Sequence, residues 1–326
     1  MAIVVQKYGG SSVSSVKKIE SAAEHISKCF ASGSSLIVVV SAMGSHTDEL
    51  LKKAHEISET PPSRELDMLL SGGERVTMAL MSIALHKRGI QSISLTGSQC
   101  GILTDQIHGN AKIKDILGDR IRDGIESGKV VIVAGFQGVD PKSKEITTLG
   151  RGGSDLTAVA LAASLNTKCC ELYKDVPGVL TANPKLIPKA QKLEHLNYDT
   201  LIALSELGAE VVHSRSIHLA KKYKVLIHIR SSIDLSAQGT IISGDRTLEK
   251  PKVTAITSQQ GLCQLQLKYK GETSRAFSVT DTLKGCWSKG VIPSILRQAS
   301  HKDITIIDIF VPMEKADAII TALTKQ

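Results

Sequence analysis

Short β-branched runs alternate with longer helical patterns up to residue 229, and that alternation constrains the fold of this chain more than any other feature. The runs are Ile3 to Val5, Leu36 to Val40, Ile93 to Leu95, Val130 to Val133, Cys170 to Tyr173 and Val225 to Ile229. Between them, apolar residues recur at helical spacing over Val13 to Phe30, Glu74 to His86, Ala111 to Ile125, Asp155 to Leu165, and Leu201 to Tyr223 with a break near Gly208 to Ser214. Compact apolar strands interleaved with helices predict an α/β fold, a parallel sheet with helices on both faces. Ligands on such sheets bind beyond the carboxyl ends of the strands. Four segments fall there: Lys7 to Ser12, Ser41 to Thr47, Gly135 to Gly138 and Lys174 to Gly178.

Two of the loops carry chemistry. Thr147-Thr148-Leu149-Gly150-Arg151-Gly152-Gly153-Ser154-Asp155 sets an arginine, hydroxyls, a carboxylate and three glycines ahead of an apolar helix. Backbone N–H groups at a glycine-rich helix start attract anions, an arginine grips a carboxylate bidentately, and Asp155 can order a lysine or a magnesium ion. A glycine turn capped by Ser154 or Asp155 accounts for the segment equally well. The second motif, Ile3 to Ser12, reads as strand, Gly9-Gly10 turn and helix, with Lys7 at the strand end where its ammonium can reach a phosphate held by the Gly9 and Gly10 amides. No Gly-x4-Gly-Lys-[Ser/Thr] order occurs, and Gly124 to Lys129 is a helix-ending glycine with the wrong spacing for a P-loop.

Bulk properties narrow the function classes. A length of 326 residues allows two domains. Aromatics make up 3% of the chain, too few for base-stacking platforms, and the +8 net charge is scattered, which suits nucleotide phosphates better than a nucleic-acid partner. The six cysteines lack Cys-x-x-Cys spacing, so neither a zinc site nor a disulfide framework is expected. No signal-peptide core and no apolar run of membrane-spanning length is present, and a cytoplasmic protein without a membrane partner is expected. His108 and His213 can lie near the cleft, with hydrogen-bonded structural roles as the simpler reading.

Between Ser232 and Lys252, serines, glycines and Pro251 replace the periodic apolar residues, which marks a domain boundary. The remainder reads strand (Leu262 to Leu267), helix (Thr282 to Lys289), strand (Ile292 to Leu296), strand (Ile304 to Val311), helix (Glu314 to Leu323). That order resembles one small α+β module of the ACT kind. Ile304 to Val311 is expected to be an uncovered edge available for pairing with a second copy.

Six blocks occur in the order and approximate spacing of the aspartate kinases, within the amino-acid kinase superfamily: Lys7 to Ser12, Ser41 to Gly44, Ser71 to Arg75, Ala134 to Gly138, Arg151 to Asp155, and Lys174 to Val179. The resemblance runs to about Ser232. It implies a three-layer αβα sandwich with a mostly parallel central sheet over residues 1–244, the amino-acid kinase fold, followed by a single ACT-like regulatory or dimerisation domain over 252–326. It also implies transfer of the γ-phosphoryl of ATP to the β-carboxylate of L-aspartate with Mg2+ as cofactor, the first step toward lysine, threonine and methionine, in a homodimer with small-molecule partners only.

On this resemblance Lys7 and Asp155 are the catalytic pair. Arg151 takes the α-carboxylate of aspartate and Glu74 its α-ammonium, with Ser41, Thr47 and Ser154 as the matching hydroxyls; Ser41 can equally be a turn residue. Lys7, Gly9, Gly10, Ser11, Lys174, Asp175, Leu180 and Lys185 fall on the nucleotide side. This chain departs from the commoner family pattern in having Lys174 for Thr, Leu180 for Tyr, Asn183 for Asp, Lys185 for Arg, Glu210 for a nucleotide-contacting Lys and Ser214 for Pro. Lys174 is expected to supply the positive charge that Glu210 cannot. The other readings are a different superfamily acceptor, such as acetylglutamate or glutamate, and an amino-acid-sensing protein without turnover.

Overall fold

The computed structural model describes residues 3–167, 169–209, 211–244, 253–270, 282–291, 293–301 and 304–324. They form two compact units, Met1–Thr257 and Ser258–Gln326. The first unit extends past residue 252 because the Ile256 amide donates to the Thr181 carbonyl at 2.8 Å.

The first unit opens with β1 (Ile3–Tyr8), a single 3-10 turn (Gly10–Val13), α1 (Val16–Ala31) and β2 (Ser35–Val40). Next come α2 (His46–Ile57), α3 (Ser63–Leu70), α4 (Gly72–His86), β3 (Ser92–Leu95), β4 (Ile102–Thr104), β5 (Ile113–Ile116), α5 (Asp119–Glu126) and β6 (Val130–Ala134). The unit continues with β7 (Gln137–Val139), β8 (Ile146–Thr148), α6 (Gly153–Ser164), β9 (Cys169–Lys174), β10 (His195–Asn197), α7 (Tyr198–Glu206), α8 (Ser214–Tyr223), β11 (Leu226–Ser231) and β12 (Thr240–Ser243).

The main sheet has eight strands in the order β10-β12-β11-β9-β1-β2-β6-β3. From β11 to β3 every pairing is parallel, and only the β11–β12 pair is antiparallel. Strand β2 shows why the sheet needs two covering layers. Its residues alternate between faces, so Leu36, Val38 and Val40 join Ile19 and Ile26 of α1 and Met81 and Leu85 of α4. Ile37 and Val39 join Val159 and Leu161 of α6 and Ile217 of α8 on the opposite side. All five strand residues are fully buried. Helix α1 starts where the Ser15 side chain accepts the Lys18 amide, and it stops before Gly33, which takes the left-handed backbone that glycine tolerates.

A smaller sheet, β5-β4-β7-β8, flanks the first, and it overturns one sequence expectation. Residues 111–125 do not form one helix. Ile113–Ile116 pairs antiparallel with β4, and Gly118 (φ 72°) breaks the chain direction before α5 begins at Asp119. The spacing of Ile113, Ile116, Ile121 and Ile125 mimics a helix face although it spans two elements. The break predicted near Gly208 is present as the α7–α8 junction, with Gly208 at φ 106°.

In the second unit β13 (Leu262–Lys270), a helix over 282–287 (α9), β14 (Ser294–His301), β15 (Ile304–Pro312) and α10 (Ala316–Thr324) make an antiparallel α+β unit. Its sheet order is β13-β15-β14. The strand beginning at Ile304 is therefore central, contrary to the expected free edge. The reason is packing: Ile307, Ile309 and Val311 form the core of this unit with Cys286, Val291 and Ile319.

Candidate active site

Five neighbouring strands of the main sheet, β11, β9, β1, β2 and β6, end in one row, and their ends are stitched together by backbone hydrogen bonds. The Ser41 amide donates to the Tyr8 carbonyl (3.2 Å), Gly135 to Val40 (3.0 Å), Gly9 to Tyr173 (3.3 Å), and Ser232 to Lys174 (2.7 Å). The four segments expected at strand ends thus lie side by side after β1, β2, β6 and β9. The Gly9 amide, expected to hold a phosphate, is instead bonded to the strand next to it. A β-carbon on Gly9 would meet Lys7 Nζ at 3.5 Å and the Tyr173 carbonyl at 3.7 Å, ordinary contact distances, so neither space nor backbone conformation demands glycine there.

Lys7 and Asp155 come together as the sequence reading expects. Asp155 stands in the first turn of α6, which begins after the left-handed Gly152. Its carboxylate meets Lys7 Nζ at 2.5 Å through one oxygen and Lys174 Nζ at 2.8 Å through the other. Burial alone would raise the Asp155 pKa, yet the charges of Lys174 and Lys7 outweigh it and hold the carboxyl well below the usual carboxylate range. Lys7 is shifted down, by burial first and by the like charge of Lys174, with Asp155 opposing. Of the charged groups nearest Lys7, Asp155 is an anion and Lys174 a cation.

Glu74 occupies the first turn of α4 and is 3% exposed. One oxygen accepts the Ala42 amide at 3.1 Å; the other is buried without a hydrogen-bond partner among the described residues. Burial pushes this carboxyl up to about 7, against the pull of the Ala42 amide and the Lys7 charge. Gly73 makes the approach possible, because a β-carbon there would sit 2.8 Å from the Ala42 side chain. An orphaned buried carboxylate oxygen suits a cationic group on a ligand.

Ser154 is buried and lies against Gly135, while Ser41 and Thr47 are half-buried. Arg151 is exposed, in a turn between Gly150 and Gly152, both left-handed. Gly10 packs its backbone against Ala42 and Gly44, and the Ser11 carbonyl accepts Lys18 Nζ at 2.7 Å. Beyond β9, Asp175 and Lys185 are exposed, and Leu180 forms an isolated bridge to Lys192. Glu210, the expected counterpart of Lys174, lies outside the described residues.

Three supports were missed by sequence reasoning. Asp67 of α3, 1% exposed, accepts from His108 Nδ1 (2.7 Å), the Gly109 amide (3.1 Å) and the Thr148 amide (3.0 Å) and hydroxyl (2.5 Å). It fixes the strand that delivers Leu149 to Asp155. Arg215 donates to the Leu149 carbonyl at 2.6 Å and to Asn110 and Ala111 at 2.8 Å each. Beside Arg215, His213 has the hydrogen-bonded structural role that the sequence suggested: it packs on Gly152, caps α8 by accepting the Arg215 amide, and is shifted down by burial and by Arg215. The third support is behind the strand ends. Tyr8 and Tyr173 stack at 4.8 Å, and the Tyr173 hydroxyl joins His25, Glu171 and Arg230. A carboxylate in an amphipathic helix and a tyrosine in a strand carry no sequence mark of such roles.

Residues 2–231 match the amino acid kinase family. The chain is 43% identical over 324 residues to aspartokinase 2 of Bacillus subtilis, covering 99% of this chain and 78% of that one. It is 46% identical over 263 residues to the aspartokinase of Corynebacterium glutamicum, covering 80% of this chain but only 62% of the relative's length. Among solved structures, aspartate kinase from Synechocystis superposes with a TM-score of 0.68 at 37% identity, over 98% of this chain and 54% of that chain. Aspartokinase III of E. coli, in complex with aspartate and ADP, shares the fold with a TM-score of 0.76 at 20% identity, over 96% of this chain and 79% of that chain. The sheet, the strand-end residues and the extent of these matches place the chain in the amino acid kinase family, among its aspartokinases.

Proposed function

We propose that this chain transfers the γ-phosphoryl group of ATP to the β-carboxylate of L-aspartate, giving 4-phospho-L-aspartate and ADP. The observation that carries the reading is the pairing of a buried Lys7–Asp155 cluster at the strand ends with the partnerless buried oxygen of Glu74. The acceptor carboxylate, with an ordinary pKa of about 3.9, is already ionised at neutral pH, so no general base is required. One carboxylate oxygen bonds to the γ-phosphorus as the bond from that phosphorus to the bridging oxygen of ADP breaks. Two anions must meet, and neutralisation and positioning are the protein's contribution.

Lys7 offers positive charge to the transferring group, and Asp155 holds the Lys7 ammonium in place. Glu74 takes the α-ammonium of the amino acid on its open oxygen, Arg151 takes the α-carboxylate as a fork, and Ser41, Thr47 and Ser154 line the acceptor side. Magnesium fits this site as an ion carried on the nucleotide phosphates. Asp155 spends both oxygens on lysines, and no cluster of three His, Cys, Asp or Glu side chains occurs among the described residues. The second unit is assigned as an ACT-like module through which two copies associate, and six free thiols suit a reducing cytoplasm.

An acceptor screen tests the reading: the purified chain with ATP and magnesium, offered aspartate, glutamate, acetylglutamate or no acceptor, with acyl phosphate trapped as hydroxamate. Aspartate alone should give product well above the blank. Equal rates with glutamate would remove the specificity assigned to Glu74 and Arg151.

A further inference from the structure

Lys174 is the last residue of β9, and its backbone is fixed from both directions. It pairs in register with Ser231, and its carbonyl accepts the Ser232 amide at 2.7 Å. From that anchored position the side chain reaches α6 and sets Nζ 2.8 Å from one oxygen of Asp155, while Lys7 holds the other oxygen. One lysine would neutralise Asp155. The second leaves a net positive charge in a site where the three side chains are only 6% (Lys7), 5% (Asp155) and 18% (Lys174) exposed. An uncompensated charge so far from water is costly unless an anion completes it. The N-terminus of α6, from Gly153, adds further positive potential at the same point.

This excess charge is not what a residue reading only the base or ribose requires. We propose that Lys174 is a second phosphoryl-stabilising cation, acting with Lys7 across the shared carboxylate of Asp155 on the group in transfer. The inference rests on the kinase reading of this site and extends it. Lys174 is the more exposed of the two ammonium groups, and Lys7 the more enclosed. The two therefore differ in access while sharing one counter-ion, and loss of Lys174 leaves Asp155 wholly to Lys7.

The test compares binding of ADP alone with binding of ADP plus aluminium fluoride, a planar stand-in for the transferring phosphoryl, by the wild-type chain and by Lys174→Met and Lys174→Arg. Lys174→Met should lose roughly tenfold or more of affinity for the ADP–fluoroaluminate pair while ADP alone changes less than about threefold, as for an electrostatic stabiliser. Lys174→Arg should recover part of the loss. In turnover, Lys174→Met should lower kcat by roughly ten- to a hundredfold with KM for ATP nearly unchanged.

The alkaline limb of kcat should also move to higher pH in Lys174→Met. The groups facing Lys7 are Asp155, Lys174, Cys170 and, more distantly, Glu74, and removing Lys174 removes the one cation among them. Unfolding midpoints keep a folding defect separate from these effects. Equal losses for ADP with and without fluoroaluminate, or a raised KM for ATP at full kcat, would overturn the proposal and return Lys174 to the nucleotide side. If the wild-type chain fails to phosphorylate aspartate, the acceptor assignment falls; the fluoroaluminate comparison still decides the role of Lys174.

Discussion

Glu74 binds the Ala42 amide with one carboxylate oxygen at 3.1 Å and leaves the other buried and open, so the same side chain is both a loop anchor and a receptor for a cation. Its pKa of about 7 stands above the ordinary 4.5. Between those values the folded chain holds a proton that the unfolded chain has released. Stability from this group is therefore complete at low pH and falls as pH rises toward 7. Glu74→Gln lacks that loss: its unfolding midpoint should gain on the wild type as pH goes from about 5 to 8. The variant should also raise KM for aspartate roughly tenfold or more, since an amide cannot answer an ammonium charge. Midpoints that shift in parallel at both pH values would show that Glu74 does not titrate in this range.

Lys7→Ala removes the more enclosed cation of the Asp155 cluster. Turnover should fall roughly a hundredfold or more with aspartate affinity nearly intact, the pattern of a group that acts on the transition state. Steady-state kinetics with aspartate and ATP varied separately provide the check. Near-normal turnover would take Lys7 out of the mechanism.

Much of this architecture was legible because the central strands are apolar on both faces. Runs such as Leu36 to Val40 and Val130 to Val133 announce parallel strands, and the glycines after them announce the loops that reach the ligand. The flanking sheet was not legible. Strands β4, β7 and β8 have three residues each and β5 has four, too few for a period to show. Within the site, Lys7, Glu74 and Asp155 stood out by their glycine settings and by the family resemblance. The Lys174–Asp155 contact did not, because it joins residues 19 positions apart through the approach of α6 to β9. Asp67 was invisible for the same reason: its partners His108, Gly109 and Thr148 are brought to it only by the fold.

Asp67 nevertheless supports the segment that carries Arg151 and Asp155. Asp67→Ala would strand the buried Thr148 amide and hydroxyl, at a cost of about 1 to 3 kcal/mol per unsatisfied group. Denaturant unfolding should show that loss, and turnover should fall with it under conditions where the chain remains folded. An unfolding midpoint within error of wild type would mean that water replaces the carboxylate without strain.

Gly135 and Ser154 give the strictest steric test of how the site is assembled. Strand β6 ends at Ala134, and α6 begins at Gly153 with Ser154 and Asp155 in its first turn. A β-carbon on Gly135 would come within 2.8 Å of both Cβ and Oγ of Ser154 and 3.0 Å from its Cα. The obstruction is at the root of the side chain, so a rotamer change cannot relieve it, and the helix start itself has to move. Asp155 would move with it, loosening its contacts to Lys7 and Lys174. Gly135→Ala should cost about 1 to 3 kcal/mol of stability, as overpacking usually does. Its kcat should fall more than either substrate KM rises, since the displaced groups are those placed on the phosphoryl in transfer. Ser154→Gly in the Gly135→Ala background removes the closest atoms and should restore part of the lost stability; turnover is not the readout of that pair, because Ser154 itself lines the acceptor side. Gly135→Ala with unchanged stability and turnover would show that α6 can withdraw from β6 freely, and that the Lys7–Asp155 geometry does not depend on how closely they pack.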